Sequence, residues 1–179
     1  MNFTPLSQRL LAVEWLLLDV DGVLTEGGIR YDNQGIEQKR FHVRDGSSLK
    51  IWQYLGKRAS LITGRTSKLV EVRAAELGIA PVIQGAAEKL PAYRRFLALA
   101  DARPEQVCVI GDDVPELGLL ANCGFAVAVA DACPEARGLA HYVTSVAGGM
   151  GAVREVIELI LHAQGRWQAV VDRFRNEAL

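Results

Sequence analysis

The chain has no apolar run approaching the ~20 residues that cross a bilayer. Its first residues, Met1 to Arg9, lack the cationic, apolar and small-residue order of a secretory signal. A membrane partner is therefore not expected, and the cytoplasm is the expected compartment. Cysteine is scarce. Cys108, Cys123 and Cys133 are odd in number and show no CxxC or His-rich spacing, which argues against a disulfide framework and a zinc site and reads as three small core residues. Concentrated charge is missing too: 20 Lys and Arg stand against 21 Asp and Glu, for a formal net charge of -1, with no basic block and no acidic run. Nucleic acid and anionic membranes are thereby poor partners, and a small polar molecule is the better one. There are no internal repeats and no low-complexity tract.

What the sequence does have is length and apolar content for one core. With 179 residues, half of them hydrophobic, it is expected to form a single domain over 1–179, with a tail from about 165. Short β-rich runs at Trp15–Val20, Ala59–Ile62, Pro81–Ile83, Val107–Ile110 and Phe125–Ala128 alternate with helix-period segments at about 47–55, 67–77, 87–100 and 114–122. That order predicts an α/β fold, a three-layer Rossmann-like parallel sheet with helices on both faces. Gly56, Gly78 and Gly124 follow three of the helices, where a C-cap favours a residue tolerant of positive φ. One segment departs from the alternation. Gly28–Tyr31, the turn Asp32-Asn33-Gln34-Gly35 and Ile36–Val43 read as a small β-hairpin flap after the first strand. A last helix is expected at about Ala152–Ala163; Arg166 to Leu179 is charged and is compatible with helix or loose chain.

The chemistry-bearing residues sit at strand ends, where open α/β sheets bind ligands. The first strand runs into Asp19-Val20-Asp21-Gly22-Val23. Two carboxylates this close repel, and the repulsion is relieved when one meets a cation and the other keeps or passes a proton. The second strand ends in Thr63-Gly64-Arg65, a hydroxyl and a guanidinium suited to phosphate oxygens. Lys89 follows the third strand and supplies a point charge for a phosphoryl group and its attacking carboxylate. The fourth ends in Gly111-Asp112-Asp113, oxygen ligands of the kind that hold Mg²⁺.

In that order, Asp-x-Asp-Gly-Val, a strand ending in Thr, a Lys and Gly-Asp-Asp resemble the haloacid dehalogenase superfamily of phosphohydrolases. There is room only for a hairpin and one helix between Asp21 and Thr63, and only for a helix and a strand between Thr63 and Lys89, so the resemblance is to its capless members. Those acting on free sugar-acid phosphates are matched most broadly, through 16–46, 62–79, 84–90, 107–117, 127–156 and 159–165. The resemblance implies Asp19 as nucleophile and Mg²⁺ ligand, and Asp21 as general acid/base giving its backbone carbonyl to the metal. It also implies Thr63 and Lys89 on the phosphate and Asp112 as metal ligand. Substrate contacts are implied at His42, Val43, Arg44, Asp45, Gly46, Gly64, Arg65, Arg73 and Asp113, in a homotetramer whose neighbours complete each site. The implied substrate is 3-deoxy-D-manno-octulosonate 8-phosphate, with a nine-carbon sugar acid 9-phosphate as the alternative. Three positions depart from the family pattern: Glu116 stands for Asp, His42 for Asn and Met150 for Arg. Glu116 leaves the reaction intact, whereas Met150 removes a cation that bears on the substrate carboxylate.

Plainer readings exist for several of these residues. Asp112-Asp113 alone fits a helix N-cap, Arg44-Asp45 a surface ion pair, and Arg73 with Glu76 a solvated pair on one helix face. Gly148-Gly149-Met150-Gly151 is too weak a phosphate-loop pattern to stand alone. A phospho-accepting signalling domain also gathers acids, a Thr and a Lys at strand ends. It lacks a second carboxylate two residues after the nucleophile, so Asp21 favours turnover over storage. A non-catalytic partner that kept the fold is disfavoured by the intact motifs.

Overall fold

A computed structural model describes residues 4–176. Six strands form one sheet: β1 (Trp15–Leu18), β4 (Arg58–Ile62), β5 (Val82–Ile83), β6 (Val107–Gly111), β7 (Phe125–Ala128) and β8 (Tyr142–Val143). A separate two-stranded hairpin holds β2 (Arg30–Tyr31) and β3 (Glu37–Gln38). The sheet order is β5-β4-β1-β6-β7-β8 and every pairing in it is parallel. A parallel sheet is covered on both faces, so its strands need no alternation; β1, β6 and β7 are accordingly buried at every position.

One helical layer holds α2 (Val43–Tyr54), α3 (Lys68–Leu77) and α7 (Ala152–Ala163), with α1 (Leu6–Ala12) and α8 (Trp167–Asn176) packed on α7. The opposite layer runs α4 (Lys89–Ala100), α5 (Leu117–Leu120) and α6 (Pro134–Leu139). Trp52, Tyr93, Phe96 and Phe125 fill the space between sheet and helices, with Trp15 edge-on to Phe96 at 5.3 Å. Among the described residues no helix is long and apolar enough to cross a membrane.

From β1 the chain builds outward through β4 and β5 on one side and then through β6, β7 and β8 on the other, so the strand order reverses at β1, whose neighbours are β4 and β6. A crevice opens there at the strands' carboxyl ends. Only the hairpin stands between β1 and α2, and only α3 between β4 and β5.

Several expectations need correction. The hairpin is present but its paired strands are two residues each, because the turn after Tyr31 is tightened by Asp32, whose carboxylate accepts from the N–H groups of Gln34 (2.9 Å) and Ile36 (2.8 Å). Gly56 and Gly78 do adopt positive φ after α2 and α3. Gly124 does not; a Cβ there would lie 2.4 Å from the Glu105 carbonyl oxygen, so close packing and not a left-handed cap requires glycine. The helix expected at about 114–122 is a 3-10 turn at Val114–Glu116 followed by the four-residue α5. Only Cys108 is a core thiol; Cys123 and Cys133 are half-buried, and Cys133 caps α6 by accepting from the Ala136 N–H at 3.4 Å. The segment from Arg166 is helical as α8, while 177–179 lie outside the described residues.

Candidate active site

Asp19 is the first residue past β1 and is fixed to the neighbouring strand by its N–H, which donates to the Ile110 carbonyl at 3.2 Å. The chain then turns at Gly22, whose φ is +96°. A Cβ at Gly22 would sit 2.0 Å from Asp112 Oδ2, so the turn both needs left-handed backbone and has no room for a side chain. This close approach is what brings the ends of β1 and β6 to one place.

The cleft they form has a volume of about 220 Å³ and is lined by Asp19, Asp21, Thr63, Gly64, Arg65, Ala86, Ala87, Lys89, Asp112, Asp113, Pro115 and Glu116. Thr63, buried at the end of β4, and Lys89, at the start of α4, close two of its sides. Asp19, Asp112 and Glu116 bring one carboxylate oxygen each to within 4.8 Å of one another. Lys89 Nζ donates to Asp19 Oδ1 at 2.6 Å and also to Glu116 Oε1. Burial works against the ammonium, yet Asp19 and Glu116 outweigh it and hold Lys89 above its usual range.

One cation for three carboxylates is too few. Burial, with Glu116 adding to it against the pull of Lys89, pushes Asp19 up to about 6. Burial and the charges of Asp19 and Glu116 push Asp112 up to about 7. Asp112 Oδ1 is buried and has no hydrogen-bond partner. An orphaned carboxylate oxygen beside a second carboxylate of raised pKa is the electrostatic signature of a divalent-cation site. The residues present fit that role. Glu116 fits it less well than Asp19 and Asp112, since its oxygens are occupied by Lys89 and by the Asp113 N–H at 3.0 Å. In that last bond the Glu116 side chain reaches back to the backbone of Asp113, the residue before the 3-10 turn, which also stands on the cleft wall.

Asp21 stands apart from this cluster. Its Oδ1 accepts from Lys39, and its Oδ2 lies 3.7 Å from Arg65 Nε. Arg65 Nη2 donates to Glu37 Oε1 at 2.6 Å and to Tyr31 Oη at 3.2 Å, and Ser67 Oγ donates to Glu37 Oε2 at 2.6 Å. The hairpin is thereby pinned to the loop after β4. None of Lys39, Glu37, Ser67 and Tyr31 stood out in the sequence, where they look like ordinary hairpin and loop residues. Glu116, a departure from the family pattern, is also the partner of Lys89, and nothing in the sequence marks that pairing.

The other expected substrate contacts lie outside the cleft of their own chain. His42, Asp45, Gly46 and Arg73 border a small cavity between α2 and α3, with Val43 and Arg44 exposed beside it. Asp45 is not a surface ion-pair partner of Arg44. It is buried, and its Oδ1 accepts from the Arg154 N–H at 2.8 Å, capping α7 from the neighbouring helix α2. Arg73 does pair with Glu76 at 2.8 Å, but its guanidinium also lies over the Phe41 ring at 5.7 Å. Gly148 is no phosphate loop: a Cβ there would be 1.7 Å from the Gly22 carbonyl oxygen, so this segment backs the Asp21-Gly22 turn. A larger apolar groove of about 630 Å³ between α2 and α8 holds no carboxylate and is remote from this chemistry.

A family model described as haloacid dehalogenase-like hydrolase matches residues 50–157. The 3-deoxy-D-manno-octulosonate 8-phosphate phosphatase of Yersinia pestis is 47% identical over 159 residues, 89% of this chain and 85% of that protein. The chain belongs to the haloacid dehalogenase-like hydrolases. The same-named phosphatase of Escherichia coli K12 is 44% identical over 168 residues, 92% of this chain and 89% of its own. A crystal structure of the Moraxella catarrhalis phosphatase of that name, in complex with magnesium, phosphate and a KDO molecule, superimposes with a TM-score of 0.91 at 39% identity. That superposition covers 94% of this chain and 97% of the other. The three-layer α/β fold expected from the alternation of runs is the one observed, with Asp19 and Asp112 directly past the ends of β1 and β6.

Proposed function

We propose that the protein is a Mg²⁺-dependent phosphatase, a single capless domain, that hydrolyses 3-deoxy-D-manno-octulosonate 8-phosphate through a phospho-aspartate on Asp19. The observation that carries this reading is the pairing of Asp19 with Lys89 at 2.6 Å beside the unpartnered oxygen of Asp112. Nucleophile, phosphate-neutralising cation and metal ligand thereby share one wall. Identities of 47% and 39% over most of the chain with phosphatases named for that substrate support it.

Mg²⁺ would be held by Asp19, Asp112 and the backbone carbonyl of Asp21, and when bound supplies the positive charge that lets a phosphate dianion approach a carboxylate. Asp19 attacks phosphorus, and the bond from phosphorus to the sugar oxygen breaks as Asp21 gives that oxygen its proton. Asp21, now ionised, takes a proton from water, whose oxygen attacks the acyl phosphate and releases phosphate and Asp19. Lys89, Thr63 and Gly64 hold the phosphoryl oxygens throughout, so the charge that develops meets donors already in place. Arg65 and Asp113 border the side on which the sugar enters.

A homotetramer belongs to the same reading. His42, Val43, Arg44, Asp45, Gly46 and Arg73 reach no substrate in their own cleft, and Val43 (73% exposed) and Val72 (56% exposed) lie beside them as apolar surface for a neighbour. A neighbouring copy would also roof a cleft that this chain leaves open. Cytoplasmic action is part of the reading, as the three free thiols suit a reducing compartment. The test is a panel of sugar phosphates, eight- and nine-carbon acids among them, assayed for phosphate release with Mg²⁺ and with chelator. The eight-carbon substrate should lead and chelator should abolish release. Preference for another substrate class, or full activity in chelator, would overturn it.

A further inference from the structure

We infer that Lys39, carried on the hairpin, is the positioning residue for the Asp21 carboxylate, which makes the hairpin a fixed part of the active site and not a cover over it. The inference rests on the reading of Asp21 as proton donor and acceptor. Lys39 follows β3 directly, and only 3% of its side chain is exposed. An ammonium withdrawn this far from water needs anions in place of its hydration. Two anions do: Asp21 Oδ1, which accepts from Nζ, and Glu37 Oε1 at 3.6 Å.

The second oxygen of Asp21 is also faced by a cation, Arg65 Nε at 3.7 Å, from a different segment of the chain. Arg65 is in turn tied to Glu37 at 2.6 Å, and Glu37 to Ser67 at 2.6 Å. The carboxylate that must deliver a proton along one direction is thus hydrogen-bonded by Lys39 at one oxygen and faced by the Arg65 guanidinium at the other, and the two cations are joined through Glu37. Asp21 sits one residue before the left-handed turn at Gly22, where no regular element restrains its side chain. Fixing one orientation removes the search that proton transfer would otherwise require, and loss of ~1 Å of such alignment can cost about 10²-fold in rate. Lys39 itself passes no proton and forms no bond to substrate. Its effect is confined to the step that needs the proton.

The experiment compares Lys39→Met, Lys39→Arg, Asp21→Asn and the Lys39→Met/Asp21→Asn pair in the full chain with Mg²⁺. It reads the first-turnover burst of alcohol release from the sugar phosphate and from p-nitrophenyl phosphate, whose leaving group needs little proton assistance. Lys39→Met is expected to slow the sugar phosphate about 10²-fold and the aryl ester far less, with Lys39→Arg recovering most of the loss. Adding Lys39→Met to Asp21→Asn should cost nothing further, since the positioned group is already disabled. Equal losses on both substrates, or a full additional loss in the double variant, would mean that Lys39 only anchors the hairpin and would overturn the inference. Should Asp21→Asn slow both substrates alike, the reading of Asp21 has failed instead, and the inference falls with it. Lys39→Gln, similar in length and polar, replaces the Met variant if circular dichroism shows the latter unfolded.

Discussion

Replacing Gly148 by Ala is a one-carbon perturbation that should be felt at the cleft carboxylates without touching any of them. The added Cβ would stand 1.7 Å from the Gly22 carbonyl oxygen, 2.5 Å from its carbon and 3.2 Å from the Val23 nitrogen. Backbone cannot rotate away as a side chain can, so the two segments must part by about 1 Å or more to reach van der Waals distance. Neither is free to move far: Gly149 N–H donates to the Val23 carbonyl at 2.8 Å, and Gly148 N–H to Asp131 Oδ1 at 2.9 Å. Forcing a methyl into such a contact costs about 1–3 kcal/mol. For a chain of this length that is roughly 2–12 °C in thermal midpoint. Because Gly22 adjoins Asp21 and abuts Asp112, a shift of ~1 Å there should lower kcat by about 10²-fold. Gly138→Ala is the control, since nothing lies within 4 Å of its Cβ position and it sits in α6. Phosphate release at saturating substrate and thermal denaturation by circular dichroism read the two effects. Wild-type kcat and midpoint in Gly148→Ala would refute the claim that this segment braces the Asp21-Gly22 turn.

Asp112→Asn removes the charge that Asp19 and Glu116 oppose, so the metal-free protein should be no less stable while Mg²⁺ affinity by calorimetry drops at least tenfold; unchanged affinity would remove Asp112 from the metal site. The pH dependence follows from the raised carboxyls of Asp19 and Asp112. Folding holds their protons above the unfolded pKa, so without metal their contribution to stability falls as pH rises from about 4 to about 7; Mg²⁺, binding the ionised forms, should raise the thermal midpoint more at about pH 8 than at about pH 5. Equal Mg²⁺ shifts at both pH values would argue against the shared carboxylate site. Asp45→Ala strips the cap from α7 and should cost about 1–2 kcal/mol in urea denaturation; a midpoint equal to wild type would show that the Arg154 N–H bond carries no stability. Glu37→Ala breaks the bonds to Arg65 and Ser67, and amide exchange across 29–39 should quicken; unchanged exchange would mean the hairpin is held by other contacts.

The sheet was legible because its strands are short apolar runs separated by helix-period segments, and the cleft because its residues fall at the ends of those runs. Periodicity missed α1, α6 and β8, all short and each dependent on packing: β8 pairs only two residues with β7, and α6 starts from the Cys133 cap. Gly124 shows the limit of local rules, since a glycine after a helix looks like a cap until the Glu105 carbonyl is found against it. The larger gap concerns side chains joined across long sequence separations. Asp45 finds its partner 109 residues away, Ser67 meets Glu37 across 30, and Lys89 meets Glu116 across 27. Nothing in the spacing of such residues marks them as neighbours. The motif residues Asp19, Asp21, Thr63, Lys89 and Asp112 were legible because the chemistry of a phosphoryl site restricts which residue types can stand at strand ends.

The central claim is that phosphate passes through Asp19, and it is tested most directly by trapping the acyl phosphate. Asp21→Asn, given p-nitrophenyl phosphate with Mg²⁺, should still be phosphorylated because the aryl leaving group needs little proton assistance, and should then accumulate the intermediate because no carboxylate activates water. Rapid acid quench followed by reduction with borohydride and peptide mass spectrometry should place the modification on Asp19, at close to one per chain. Release of p-nitrophenol with no modified aspartate, or modification at Asp112 instead, would contradict the account.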